Sequence, residues 1–367
     1  MAADRETKEL MSHDDRILSK TIKAGAEEDL FFSLALEQFL SRMPPRSREI
    51  IMARFGIGDA YPKTLEEIGR TYQITRERVR QVIASTLGFL SGEHEHPTFV
   101  KISERIQSTL EGKNGIIKTE KLLDMLAPRG GKERGALLVF IECLPVIKYE
   151  KATREYEEIY RLKDFSLAEW KKVKDAAKAI FEEANQALEE GDLFARFQKK
   201  NNAISQQKLF DFLAVAKDVC QNVFGKWGLS DWSDIRPRGT REKAHLVLKT
   251  KGVPLHFREI ASLIDSYGLK NSKKQESHPQ TVHNELIKDK RFVLVGRGIY
   301  ALSEWGYKKG TVKEVLEEIL RKATRPLSRE EVLAQVLKVR QVKKSTVIIN
   351  LNAFFSRTGK NAYSVKK

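Results

Sequence analysis

The stretch Thr64-Leu-Glu-Glu-Ile-Gly-Arg-Thr-Tyr-Gln-Ile-Thr-Arg-Glu-Arg-Val-Arg-Gln-Val-Ile83 reads as a helix, a tight turn and a second helix. Thr64 and Glu67 have the spacing of a capping box at the start of the first helix. Leu65, Ile68 and Tyr72 follow at helical spacing, and Gly69 offers a small surface where two helices can cross closely. Ile74 falls in the turn, where it would plug the space between the helices. Thr75 is placed to cap the second helix, whose Val79, Val82 and Ile83 form an inward stripe. The opposite face carries Arg76, Glu77, Arg80 and Gln81, paired one turn apart. Arginine can donate two bonds to a guanine edge, glutamine pairs with adenine, and glutamate accepts from cytosine. This is the layout of a DNA recognition helix.

The pattern extends beyond the hairpin. Met43-Pro-Pro-Arg46, Arg54-Phe-Gly-Ile57, Thr64-Leu-Glu-Glu-Ile-Gly69 and Thr75-Arg-Glu-Arg-Val-Arg-Gln81 follow one another in order. Together they resemble region 4 of bacterial primary-type sigma factors, over roughly a seventh of the chain. The resemblance implies a module that reads the −35 promoter element in double-stranded DNA and docks on the flap of the polymerase β subunit. It implies that Arg76, Glu77, Arg80 and Gln81 face bases or nearby phosphates, and that Arg46 and Arg54 lie near the DNA backbone. A merely solvated helix face would share the polarity of the strip but not the ordered set of motifs around it.

The 367 residues leave room for several small domains, and 41% hydrophobic with 8% aromatic content supports small packed cores. A formal net charge of +16 suits a polyanionic partner such as nucleic acid. Cys143 and Cys220 are too isolated for a disulfide framework or a zinc site. The amino-terminal stretch has no signal-like apolar core, and no apolar run approaches the ~18 residues of a membrane span. A cytoplasmic location without a membrane partner is expected. The sequence has no P-loop, Rossmann glycine fingerprint, nucleophile elbow or zinc-protease motif, and no acidic cluster suited to two-metal phosphoryl transfer. Neither an enzyme nor a cofactor, metal site or small-molecule substrate is expected, and no residue is assigned a catalytic role.

In chain order, residues 1–28 are polar and charge-mixed and read as a loose arm. Helices are expected from Leu30 to Leu40 and, after Pro44-Pro45, from Arg46 to Phe55. With the helix-turn-helix they make an opening domain of residues 29–95. Gly92-Glu-His-Glu-His-Pro97 reads as a linker, since His94 and His96 lack a third ligand at metal spacing. Beyond it the sequence repeats faintly. Ile117-Lys-Thr-Glu-Lys-Leu-Leu123, Ile204-Ser-Gln-Gln-Lys-Leu-Phe210, Leu255-His-Phe-Arg-Glu-Ile-Ala261 and Leu327-Ser-Arg-Glu-Glu-Val-Leu333 each open with an apolar residue, a polar or capping residue, and a helix start. Ser328 with Glu331, and His256 with Glu259, occupy capping-box places.

Wing-like segments follow these starts. Examples are Tyr149 with Tyr156-Glu-Glu-Ile-Tyr160, Phe292-Val-Leu-Val-Gly-Arg-Gly-Ile-Tyr300, and Val347-Ile-Ile with Asn361-Ala-Tyr-Ser-Val365, with a weaker version at Trp227-Gly-Leu-Ser-Asp-Trp232. The uneven spacing of the starts favours tandem small domains over a solenoid. The expected fold is mainly α: a helix-turn-helix domain followed by winged-helix-like modules with short β-hairpin wings, at 97–165, 166–237, 238–305 and 308–367. Trp170, Val173, Ala177, Ile180, Phe181, Ala184 and Leu188 form an amphipathic stripe too short for a coiled-coil arm, and it is expected to pack on its own module.

The module at 238–305 carries a second resemblance. Arg241-Glu-Lys-Ala-His-Leu-Val-Leu-Lys249, Gly252-Val-Pro-Leu-His-Phe-Arg-Glu-Ile-Ala261, His278-Pro-Gln-Thr-Val-His-Asn-Glu-Leu-Ile287 and Arg291-Phe-Val-Leu-Val-Gly-Arg-Gly-Ile-Tyr300 with Leu302 resemble the HARE-HTH winged helix. That domain occurs in the δ subunit of bacterial RNA polymerase and in proteins linked to chromatin or DNA modification. The resemblance implies binding of DNA, protein or both. His256, His278 and His283 lie inside it and are read as packing or capping residues. The last module is the most basic: residues 306–367 hold 15 Lys or Arg against 5 Asp or Glu, a net of +10. Lys338, Arg340, Lys343 and Lys344 precede an expected helix at Ser345, and Arg357 and Lys360 fall in the expected wing, a layout suited to phosphate contacts.

These features point to a DNA-binding transcription factor of sigma-related type. It would read duplex DNA through the Arg76 strip, gain backbone affinity from Lys343 and Lys344, and contact the RNA polymerase core. Sigma region 2, the aromatic-bearing domain that family uses to melt the −10 element, is not recognisable in this chain, so unaided promoter opening is not expected. Two other readings use the same modules: a polymerase-associated protein-interaction scaffold without sequence-specific DNA binding, and an accessory subunit of a DNA-processing or restriction system. Steep salt dependence of DNA binding would separate the first, and co-purification with a nuclease or methyltransferase the second.

Overall fold

The computed structural model describes residues 31–58, 61–201, 203–269, 276–307, 310–358 and 361–365. The expected arm at 1–28, the helix start at Leu30 and the wing residue Lys360 lie outside the described residues. The chain divides into two compact units. One runs to Ile180 and includes Phe194–Val219; the other comprises Phe181–Leu193 and the chain from Cys220 onward. The described residues are mainly α, with small sheets of two or three strands.

The first unit opens with α1 (Phe31–Leu40), α2 (Pro45–Phe55), α3 (Leu65–Tyr72) and α4 (Arg76–Gly92). Pro45 sits at the first turn of α2, where its missing N–H is no loss. Gly56 ends α2 in the left-handed region at φ 66°, and a Cβ there would stand 2.9 Å from the Pro62 nitrogen. The expected linker at Gly92–Pro97 is instead a tight turn. His96 Nδ1 accepts from the Thr98 N–H at 3.2 Å, capping α5 (Pro97–Glu111), and its ring meets Phe39 at 5.0 Å. Then follow β1 (Ile116–Lys118), α6 (Thr119–Leu126), α7 (Gly131–Glu142), β2 (Ile147–Glu150) and β3 (Ile159–Leu162).

One hydrophobic core joins all of these elements except the hairpin's own cluster. It runs from Phe32 and Phe39 on α1 through Phe99 on α5 and Phe140 on α7 to Tyr160 on β3. The centre of this packing is α7. Gly135, Ala136, Leu137, Val139, Phe140 and Ile141 are all buried. A Cβ on Gly135 would overlap the Phe55 carbonyl oxygen and meet Ile57 Cγ1 at 2.8 Å, so only glycine lets the end of α2 approach this closely.

After α8 (Leu167–Ala184), α9 (Glu190–Gln198) and α10 (Gln206–Val215) come β4 (Val219–Gln221) and β5 (Trp227–Leu229). The chain continues with α11 (Thr240–Lys251), β6 (Leu255–His256), α12 (Phe257–Ser266), α13 (Pro279–Lys288), β7 (Phe292–Gly296) and β8 (Ile299–Leu302). The last elements are α14 (Val312–Lys322), β9 (Leu327–Ser328), α15 (Arg329–Val339), α16 (Lys344–Phe354), β10 (Ser356–Thr358) and β11 (Ala362–Ser364). Helix, strand, two helices and a hairpin recur at α5–β3, α11–β8 and α14–β11, and in each sheet the last strand is central: β1-β3-β2, β6-β8-β7 and β9-β11-β10. This is the winged-helix order.

In each copy a buried aliphatic residue on the first strand faces a buried tyrosine on the central strand: Ile117 with Tyr160, Leu255 with Tyr300, Leu327 with Tyr363. Such aliphatic–aromatic cross-strand pairs hold small sheets in register. Leu188 and Trp227 make the same pair as an isolated bridge. The segment α8–β5 is therefore a fourth copy whose first strand has shrunk to one residue.

The repeat start expected at Ile204 is corrected by this alignment. Ile204 precedes α10, the third helix of its module, where Ser205 accepts from the Lys208 N–H. A cap marks any helix, not a particular one. With Leu188 in its place, the four starts stand about 70 residues apart, and the spacing is even. A second correction concerns Val347-Ile-Ile, expected in a wing. These residues lie inside α16, with Val347 and Leu351 buried one turn apart, and the wing strand begins at Ser356.

The stripe on α8 is buried at Trp170, Val173, Ala177, Ile180 and Phe181 and half-buried at Ala184, where the helix ends. Leu188, expected on the same stripe, lies beyond it in the bridge to Trp227. Trp170 Nε1 donates to the Phe212 carbonyl at 2.9 Å. On α10, Asp211 accepts from Asn114 Nδ2 at 2.6 Å and Lys113 Nζ at 3.3 Å, fixing that helix beside β1. In the second unit, the outer face of the β7–β8 hairpin is buried at Val293, Val295 and Ala301, and the Gln341 N–H reaches the Val295 carbonyl at 3.3 Å.

Candidate nucleic-acid interface

The hairpin α3–α4 is set by its caps and its turn. Glu67 accepts from the Thr64 N–H at 2.7 Å while Thr64 Oγ1 accepts from the Glu67 N–H, completing the capping box. Gln73 takes the left-handed conformation at φ 54° and turns the chain. A Cβ on Gly69 would come within 2.8 Å of the Ile74 carbonyl oxygen, so the turn closes on this glycine. Thr75 Oγ1 then accepts from the Arg78 N–H at 3.2 Å and starts α4. Ile50, Ile68 and Val79 are fully buried, with Leu65, Tyr72, Ile74, Val82 and Ile83 packed around them.

That core turns Arg76, Glu77, Arg80 and Gln81 outward together, all exposed. Arg80 binds Glu77 through two bonds, Nη2–Oε1 at 2.6 Å and Nε–Oε2 at 2.9 Å. This guanidinium holds the Glu77 carboxyl below the usual carboxylate range. Both groups are more than half exposed, so the pair is weakly held and can open for a base edge. Arg78 was not singled out from the sequence. It is exposed and donates to Gln81 Oε1 at 3.3 Å. With Arg70 and Arg76 it lines a groove of 610 Å³ along the turn, three guanidinium groups at the edge of the strip. The signal available in the sequence was the density of arginines around Thr75, not their spacing.

Arg46 donates to the Tyr72 carbonyl at 2.5 Å and Arg54 to the Lys63 carbonyl at 3.1 Å. Both side chains are exposed, and each is oriented at an end of α3 with N–H groups to spare. Lys343 and Lys344 lie in the second unit, at the cap and first residue of α16, and are exposed. Lys338 and Arg357 are exposed as well. Arg340 differs from the phosphate-contact expectation. It is only 6% exposed, it donates to the Gly310 carbonyl, and burial pulls its guanidinium below the usual pKa. A phosphate cannot reach it without opening the module.

The histidines of the α11–β8 module cap and pack. His256 Nδ1 accepts from the Arg258 N–H at 3.3 Å, His278 stands at the cap position of α13 without a side-chain cap bond, and His283 packs between Phe257 and Tyr300, ring centroids 4.6 and 5.7 Å away. Among the described residues, no three His, Cys, Asp or Glu converge as metal ligands, and no helix is long and apolar enough to cross a membrane.

Comparison with known proteins places two families on this fold. Residues 39–90 match the family described as "Sigma-70, region 4", and residues 239–305 match the HARE-HTH family, described as an "ASXL, restriction endonuclease HTH domain". Similar proteins include RNA polymerase sigma factor SigA1 of Synechococcus elongatus, 48% identical over 52 residues, and sigma factor SigA of Nostoc sp., 46% identical over 52 residues; each match covers 14% of this chain. Sigma factor RpoD of Neisseria gonorrhoeae is 36% identical over 93 residues, 25% of this chain. In each case the match spans 13% of the relative's own length. The chain thus carries a sigma-70 region 4 helix-turn-helix at 39–90 and a HARE-HTH winged helix at 239–305.

Proposed function

We propose that the protein is a sigma-related transcription factor that reads a −35-like promoter element through α4. The observation that carries this reading is the strip of Arg76, Glu77, Arg80 and Gln81, exposed on the face opposite the buried Val79. Its donors and acceptors match base edges in a major groove, and a capped helix of this kind is the element that enters one. Arg46 and Arg54 supply oriented cations for flanking phosphates, and Lys343 and Lys344 add backbone affinity from the second unit. The region 4 domain brings the RNA polymerase core, through the β flap, as the protein partner. The activity is binding rather than catalysis, needs no cofactor, and takes place in the cytoplasm.

The test is selection of randomised duplexes by the full chain, repeated across a salt series. Enrichment of one motif, with affinity falling steeply as salt rises, supports the reading. A folded chain that enriches no motif sinks it. A second reading, the polymerase-associated scaffold, draws on a different observation: the third helices of the first two winged modules, α7 and α10, are occupied by packing within the protein. Those two modules have no free recognition helix, and a protein-binding role suits them better.

A further inference from the structure

The four winged modules treat their third helix differently. Those of the first two are held by packing and hydrogen bonds within the protein, as described. That of the third, α13, exposes Gln280, Thr281, Asn284 and Ile287, but Glu285 and Asp289 stand on and beside it, paired with Arg241 and Arg291. The fourth, α16, is unlike all of them. Val347 and Leu351 are fully buried and fix its rotation, which leaves Lys344, Ser345, Thr346 and Ile349 facing out. Ile349 is 65% exposed, among the most exposed large apolar side chains in the described residues.

The charge around it has one sign. From Arg340 to the last residue the sequence contains no Asp or Glu. The acids of this module sit on α14 and α15. Glu317, Glu318 and Glu331 pair with Arg321, Lys322 and Arg325, and Glu314 closes the cap of α14. Lys313 lies 4.7 Å over the ring of Phe354, at the far end of α16. An exposed isoleucine one turn after the hydroxyls of Ser345 and Thr346, on a helix that opens with exposed Lys343 and Lys344 and carries no acid, fits a polyanion that also offers an apolar group. Duplex DNA does so through the thymine methyl in its major groove.

We propose that α16 is a second base-reading helix. In it Ile349 packs on thymine methyls, Thr346 and Ser345 reach base edges, and Lys343 and Lys344 hold the flanking phosphates. The protein then recognises two separate DNA elements. The inference shares with the proposed function duplex DNA as the ligand and the phosphate contacts of Lys343 and Lys344; the base reading by Ile349, Thr346 and Ser345 does not depend on α4.

Randomised duplexes are selected by the full chain, by the double variant Arg80→Ala/Gln81→Ala, and by Ile349→Glu, with circular dichroism as the folding control. Ile349→Leu serves as a variant that keeps the apolar contact. The expected result is two elements for the unaltered chain. The α4 variant keeps one of them, rich in thymine, and Ile349→Glu lowers enrichment of that element by roughly 5-fold or more while Ile349→Leu preserves it. A single element that survives the α4 variant and is lost in Ile349→Glu would support α16 and count against α4. The inference is overturned if the α4 variant enriches nothing. It is equally overturned if Ile349→Glu leaves every enriched element unchanged, including the case where that variant instead loses capture of a protein partner.

Discussion

Glu133 on α7 receives the Phe32 backbone N–H, 101 positions earlier in the chain, at 3.0 Å, and the next N–H, of Ser33, at 2.9 Å. One buried carboxylate thus satisfies two of the unpaired donors at the start of α1 and faces the positive end of its dipole. The contact makes the helix-turn-helix and the first winged helix one folding unit.

Removing that carboxylate leaves two buried donors without a partner. Glu133→Ala should destabilise the first unit by about 3 kcal/mol. Gly135→Ala, which forces a methyl against the Phe55 carbonyl, should cost about 1–3 kcal/mol through overpacking. Urea melts of the full chain measure both. A variant in which the α5–β3 module unfolds while the helix-turn-helix stays intact would contradict the shared core.

On α4, Arg80→Ala and Gln81→Ala should each relax selection at one or two base pairs by roughly 5- to 150-fold, with folding unchanged because both side chains are exposed. Val79 is fully buried between the helices, so Val79→Asp should unfold the hairpin. Selection experiments paired with circular dichroism check both statements. Loss of helicity in Arg80→Ala would show that its pair with Glu77 is structural.

At the start of α16, Lys343→Ala/Lys344→Ala should weaken binding about equally on unrelated duplexes. It should also flatten the salt slope by up to roughly one unit per lost phosphate contact. Titrations at several salt concentrations give the slope directly. A loss confined to one sequence would mean that these lysines read bases.

Glu331 links stability to pH. Arg325 at 2.5 Å and the Ser328 N–H at 2.7 Å hold its carboxyl at about 2, against an ordinary 4.5. Because folding lowers this pKa, the stabilisation is complete above the unfolded value and disappears as pH falls from about 4.5 towards 2. Glu331→Gln should therefore lower the melting temperature at neutral pH and flatten its decline across that window. Parallel curves for the two proteins would remove Glu331 from the account.

Added to core polymerase, this chain alone should not melt a promoter, since no region 2 is recognisable in it. Permanganate footprinting on supercoiled templates reports unpaired thymines. Clear promoter-dependent reactivity would show that another part of the chain opens DNA.

What the sequence determined by itself was local. The capping boxes at Thr64 and Ser328, the turn at Gln73–Thr75 and the rotation of α4 all follow from residues within one or two turns of each other. Caps and helical periodicity depend on no distant partner, so these features and the α4 strip could be read directly. The tertiary structure decided which helix faces stay open. α4 and α7 are each the last helix of their own module, yet the first turns of α4 are polar and open on the outer side, while α7 is buried by α1 and α2. Glu133 and Gly135 carry no mark in the sequence, and Arg340 reads there as one more phosphate contact, because the partners of all three are remote in the chain. Leu188 reads in the sequence as the end of the helical stripe for the same reason: its equivalence to Ile117, Leu255 and Leu327 lies in a pairing with Trp227 across the module. Spacing in a sequence encodes contacts within a helix or a turn; it carries no record of which surfaces will meet once separate elements pack.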